Sequence, residues 1–75
     1  MEPLEAAVKV LEEEGTPLHW TVIQDLALRR GYLDPFADPQ VGRKLRAALA
    51  AAARDGDRVR REGKGVYALP AGEGS

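Results

Sequence analysis

The 75 residues contain no cysteine, which excludes a disulfide framework and any thiolate metal site and leaves the fold to its apolar core. Histidine occurs once, as His19, with no obvious carboxylate beside it in sequence. A helix cap or rim position is expected for it, not a catalytic base. No apolar run approaches the roughly 18 residues of a membrane span, and the N-terminus lacks the basic-then-apolar pattern of a secretory signal. The expected location is cytoplasmic. Strong net charge is also missing: the balance is −1, so overall charge argues for no polyanionic partner.

What is present describes a small globular chain. Hydrophobic residues make up 44% and charged residues 31%, values at which a chain folds rather than stays disordered. The length allows one domain, expected over residues 1–70 with a short flexible tail at 71–75. Charge is unevenly ordered along it. Residues 1–28 hold one lysine and six acids, whereas residues 29–64 hold ten of the eleven Lys and Arg against five acids.

Punctuation and period give the elements. Pro3 suits a first helical position, Leu4, Ala7, Val8 and Leu11 follow helical spacing, and Gly15 stands at a C-cap, so a first helix is predicted over about 3–14. Thr16, Pro17 and Leu18 form an extended link that can hold a one-bridge strand. A second helix follows over about 20–30, with Ile23, Leu26 and Ala27 inward and its start open between His19 and Thr21. The loop "YLDPFADPQ" carries two Asp-Pro steps and reads as a structured connection. Asp38 is expected to cap and Pro39 to open a third helix over about 39–55, with Val41, Leu45, Ala48, Leu49 and Ala52 in one stripe. Leu11, Ile23, Leu26, Leu45, Leu49 and Leu69 are the expected core.

The opposite face of the third helix carries the functional signal. Arg43, Arg46, Ala47, Ala50 and Arg54 fall within about 100°, with Lys44 at the flank. Arginines among alanines let a helix approach a phosphate surface closely, and a major groove admits a helix. The segment "RVRREGKGVYALP" then follows. A phosphate loop needs four residues between its glycines and Ser or Thr after the lysine; here six residues separate Gly56 from Gly63 and Gly65 follows Lys64. The segment reads instead as a hairpin with strands near 58–61 and 66–69, Val59 inward and Arg58 and Arg60 outward. Three helices and a hairpin, mainly α with a two- or three-stranded wing, make the order of a winged helix-turn-helix. Double-stranded DNA is the expected partner, held by Arg43, Lys44, Arg46 and Arg54 on the third helix and Arg58, Arg60 and Lys64 on the wing.

Other candidates for chemistry are weak. Asp34, Asp38, Asp55 and Asp57 sit at turns and helix ends, where capping explains them better than a metal. Trp20, Tyr32, Phe36 and Tyr67 are expected to serve core and loop packing. Glu12, Glu13 and Glu14 crowd the wrong end of the first helix for its dipole and are expected to face away from DNA. No catalytic residue, cofactor, metal or small-molecule substrate is expected. The alternative reading is a winged helix used for protein contact, favoured by the near-zero net charge and the acidic helix end.

"AAVKVLEEEGTPLHW" leading into "IQDLALRRG", and the terminal "GKGVYAL", together resemble the HARE-type winged helix-turn-helix domain of restriction endonuclease associated proteins, chromatin proteins and the delta subunit of bacterial RNA polymerase. The resemblance covers roughly residues 4–69 and lies in order and spacing. It implies DNA binding, or association with a DNA-bound polymerase or nuclease, in transcription regulation or DNA modification and restriction, without catalysis. The chain carries Val59 where that pattern has an aromatic and Glu62 where it has an apolar residue.

Overall fold

The computed structural model describes residues 1–70; the expected tail at 71–75 lies outside the described residues. Three helices, α1 (Pro3–Glu14), α2 (Trp20–Arg29) and α3 (Val41–Asp55), are joined by three short strands, β1 (Leu18–His19), β2 (Arg60–Gly63) and β3 (Val66–Ala68). β3 is central in an antiparallel sheet of order β1-β3-β2, with Leu18 opposite Tyr67 and Arg61 also opposite Tyr67 on the other side. The one-bridge link expected before α2 is therefore the third strand of the wing. Among the described residues no helix is long and apolar enough to cross a membrane.

The core follows from the apolar stripes. Val41, Leu45 and Leu49 recur four residues apart on α3 and are buried, facing Ala6, Ala7, Val10 and Leu11 of α1 and Ile23 and Ala27 of α2. The paired alanines of α1 let the backbones approach, and each buried leucine contributes about 1.5–3 kcal/mol by leaving water. A second close approach occurs where α3 meets α2: a Cβ on Gly42 would lie 2.8 Å from the Gln24 side-chain oxygen, so a larger residue there displaces the Gln24 amide. Val59 is fully buried and closes the core beneath the sheet, so the smaller residue fills the aromatic position of the family pattern.

Several expectations shift. α3 begins at Val41, not Pro39, because Asp38 takes the Gln40 N–H on its carboxylate at 3.0 Å and the Val41 N–H on its carbonyl at 3.1 Å, which makes a turn of Pro39 and Gln40. β2 begins at Arg60, two residues later than expected, since Val59 points down into the core before pairing starts. Leu26 and Leu69 are half-buried: Ile23 and Ala27 hold the inner line of α2, and Leu69 follows the last paired residue of β3. Val10, on the inner line of α1, is buried in a place the expected core left out. Phe36 packs on nothing, 95% exposed in a loop whose shape comes from the Asp34 carboxylate accepting its N–H at 2.9 Å.

The wing turn is Lys64-Gly65. Only Gly65 has positive φ, at 72°, so the turn lacks the positive first residue of the mirror-image hairpin types, and a bulge between Arg61 and Gly63 takes up the mismatch. A Cβ at Gly65 would also lie 2.7 Å from His19 Nε2. Its carbonyl accepts the Trp20 N–H at 2.9 Å, which ties the wing tip to the start of α2.

Leu45→Ala should cost about 2–5 kcal/mol in denaturant unfolding. Gly65→Ala should cost about 1–2 kcal/mol from its left-handed backbone, and more if the His19 ring cannot give way. An unchanged midpoint for Leu45→Ala would mean that α3 presents a different stripe to the core.

Candidate nucleic-acid interface

α3 is helical because alanine and arginine are good helix formers, and its stripe faces α1, which leaves a second face open. That face and the wing enclose a cleft of about 710 Å³. Arg46, Ala50, Ala53 and Arg54 form the α3 wall; Arg61, Lys64, Gly65 and Tyr67 form the wing wall; His19 and Trp20 line it where β1 passes into α2. Four cations and no carboxylate line this space.

Outside the cleft, several charges are arranged in pairs. Arg29 meets Asp25 at 2.9 Å, Lys44 meets Asp38 at 2.6 Å and Arg60 meets Glu62 at 3.3 Å. Arg30 bridges Glu13 at 2.7 Å and Glu14 at 2.6 Å, while the Tyr32 hydroxyl donates to the second oxygen of Glu13. This explains Glu13 and Glu14 at the C-terminal end of α1: they bind the end of α2 and the loop after it. Among the described residues, Arg43, Arg46, Arg54, Arg61 and Lys64 are not paired with any carboxylate. Solvent-exposed pairs add little stability singly, but they remove acids from the field of the open face.

The named side chains fall into two groups. Arg46, Arg54 and Lys64 come together in the cleft, and Arg43, three residues before Arg46, shares its face of α3 about 60° round the helix. Lys44 is held at the start of α3 by Asp38, whose carboxyl is lowered by the Lys44 ammonium and then by the Gln40 N–H. Arg58 lies on the reverse side beside Leu4, Ala48 and Asp55, and Arg60 shares the side of β2 that carries Glu62. Arg61 entered no expectation. It has the same parity as Val59 along the strand, and that parity, carried past the core, turns it onto the cleft opposite Tyr67.

His19 and Trp20 supply local order. The His19 ring accepts the Thr21 N–H on Nδ1 at 3.3 Å and lies 2.8 Å from the Thr21 hydroxyl, so the lone histidine is the N-cap of α2, as expected. With Nδ1 accepting, a neutral ring carries its proton on Nε2, beside Gly65. The Arg46 guanidinium lies over the Trp20 ring, 5.1 Å from its centroid. Trp20 is thus half in the core and half in the cleft, a double placement that a reading of aromatics as packing residues misses.

The helix pair α2 and α3 with its three-stranded wing defines a winged helix-turn-helix protein. Residues 2–69 match the family model HARE-HTH, the helix-turn-helix domain of ASXL and restriction endonuclease proteins, and the chain belongs to that family of DNA-binding domains. Comparisons with curated proteins and with solved structures gave no match.

The Glu13, Arg30 and Tyr32 cluster sets a pH dependence. The Tyr32 hydroxyl, then Arg30, hold the Glu13 carboxyl below its usual value, so its stabilisation is present above the ordinary carboxylate range and is lost as pH falls through the lowered value. The Tyr32 phenol is raised by the same bond, so its stabilisation is present below the ordinary tyrosine value and is lost as pH rises through the raised one. Thermal midpoints against pH should fall at both ends, and Tyr32→Phe should flatten the alkaline limb and shallow the acid one. A Tyr32→Phe profile that overlays the wild type would remove this assignment.

Proposed function

We propose that this chain is a non-enzymatic module that holds duplex DNA on its cleft face, with α3 in the major groove and the wing on the adjacent backbone. Transcription regulation and DNA modification or restriction are the settings such a module suits. The observation that carries the reading is the gathering of Arg46, Arg54, Arg61 and Lys64, none paired with a carboxylate among the described residues, around a cleft that no acid lines, with Arg43 on the same face of α3. Small residues at Ala47, Ala50 and Ala53 leave α3 room to approach a phosphate surface. The N-terminal part of a recognition helix usually meets base edges, which assigns Arg43 and Arg46 to that task and Arg54, Arg61 and Lys64 to phosphates.

The case for a protein partner rests on the acidic end of α1. Glu13 and Glu14 are already engaged by Arg30 and Tyr32, so that end offers less to a polymerase or nuclease than its sequence suggests.

Fluorescence anisotropy with duplex oligonucleotides across a salt series tests the reading. With about four or five phosphates neutralised, log K should fall with log salt at a slope of roughly −3.5 to −4.5. Lys64→Ala and Arg61→Ala should each flatten the slope by about one, while Arg58→Ala should leave it unchanged. Absence of binding at low salt, or equal slopes in all variants, would transfer the lead to protein contact.

A further inference from the structure

We propose that Arg46 reads a guanine edge in the major groove and that Trp20 is the residue that positions it. This rests on the DNA-binding reading above and names what the cleft discriminates. Among the arginines of α3, Arg46 alone lies over an aromatic ring, 5.1 Å from the Trp20 centroid. Stacking uses the π face of the indole, while the five N–H donors of a guanidinium lie in its own plane. The described residues take none of those donors in a hydrogen bond or ion pair. An unspent fork of donors therefore stands in the cleft on the sixth residue of α3, beside the indole.

Guanine matches such a fork. Its O6 and N7 stand side by side in the major groove and accept two parallel N–H bonds from one arginine. A freely rotating side chain loses much of its gain in being ordered, whereas one already held on a platform loses less. Arg54 shares the open face without a ring beneath it, which suits phosphates, whose charge is continuous along the backbone and tolerates a swinging side chain; Arg43, nearer the start of α3, meets base edges without such a platform. Ala50 and Ala53, one and two turns on from Arg46, stand on either side of its line along the helix and leave it space to sink.

The platform is itself fixed. The Trp20 backbone N–H is bonded to the Gly65 carbonyl at 2.9 Å, which places the residue, and its ring packs partly against the core. Its Cδ1 stands 3.3 Å from where a Cβ on Gly65 would be, so the wing turn also abuts the ring. Wing, α2 and α3 thus set the direction of one guanidinium.

The test is selection from short duplexes randomised at their centre, with bound and free fractions sequenced, followed by anisotropy on the preferred duplex. The wild type should enrich guanine at one fixed position by roughly tenfold, and 7-deazaguanine there, which lacks the N7 acceptor, should weaken binding. Arg46→Lys keeps the charge and should lose the enrichment while retaining the salt slope. Trp20→Leu should lose it likewise, Trp20→Phe should keep part of it, and Trp20→Leu added to Arg46→Lys should have no further effect on discrimination. Lys64→Ala should weaken binding with the enrichment intact. Because Trp20 is the sole tryptophan, the emission of the free protein should also change in Arg46→Ala. Enrichment that survives Arg46→Lys overturns the proposal whether or not Trp20→Leu folds. So does a wild type that binds DNA without preference, or emission unchanged by Arg46→Ala. A wild type that binds no DNA at all instead overturns the reading on which it rests.

Discussion

The bond from the Trp20 N–H to the Gly65 carbonyl joins the first residue of α2 to the wing turn, and the shape of the open face depends on it. A two-stranded hairpin of three or four residues a strand is marginal by itself. Here the two residues of β1 pair with β3, a Cβ on Gly65 would press on the His19 ring, and His19 caps the helix that starts one residue later. Hairpin, link and helix thus hold one another at a single point. The distance between the cations of α3 and those of the wing follows from that point.

Charge is distributed to the same effect. Arg30 and Tyr32 engage Glu13, Arg30 engages Glu14, Asp38 engages Lys44, and Glu62 engages Arg60, all outside the cleft. The exposed pairs contribute little to folding singly. Their larger effect is that acids lie apart from the cations of the open face, a segregation that a net charge of −1 conceals.

Much of this was legible in the sequence, for identifiable reasons. Glycine at 15 and 56, the stripe through Leu45 and Leu49, and the arginine-alanine face of α3 are local signals that tertiary contacts did not override. The start of α3 was misread because Asp38 makes a turn with Gln40 before the helix begins, and a turn and a cap use the same residue types. Arg61 was missed because it stands beyond the last core residue of its strand, where alternation no longer distinguishes buried from exposed but still sets the side. The place of Trp20 in the cleft could not be read locally, since Arg46 lies twenty-six residues away in sequence and meets it only through packing of α2 on α3.

The gathering of four cations on one face, with the acids on others, has a kinetic consequence. A nearly neutral body feels little overall attraction toward a polyanion, but separated charge gives it a dipole, and a dipole in a strong field experiences torque. On the DNA-binding reading proposed above, such a molecule would be rotated before it is pulled, and would arrive with its open face forward. Its encounter rate would then depend on salt through orientation rather than through net attraction, and moving one acid across the molecule, at constant total charge, would slow association.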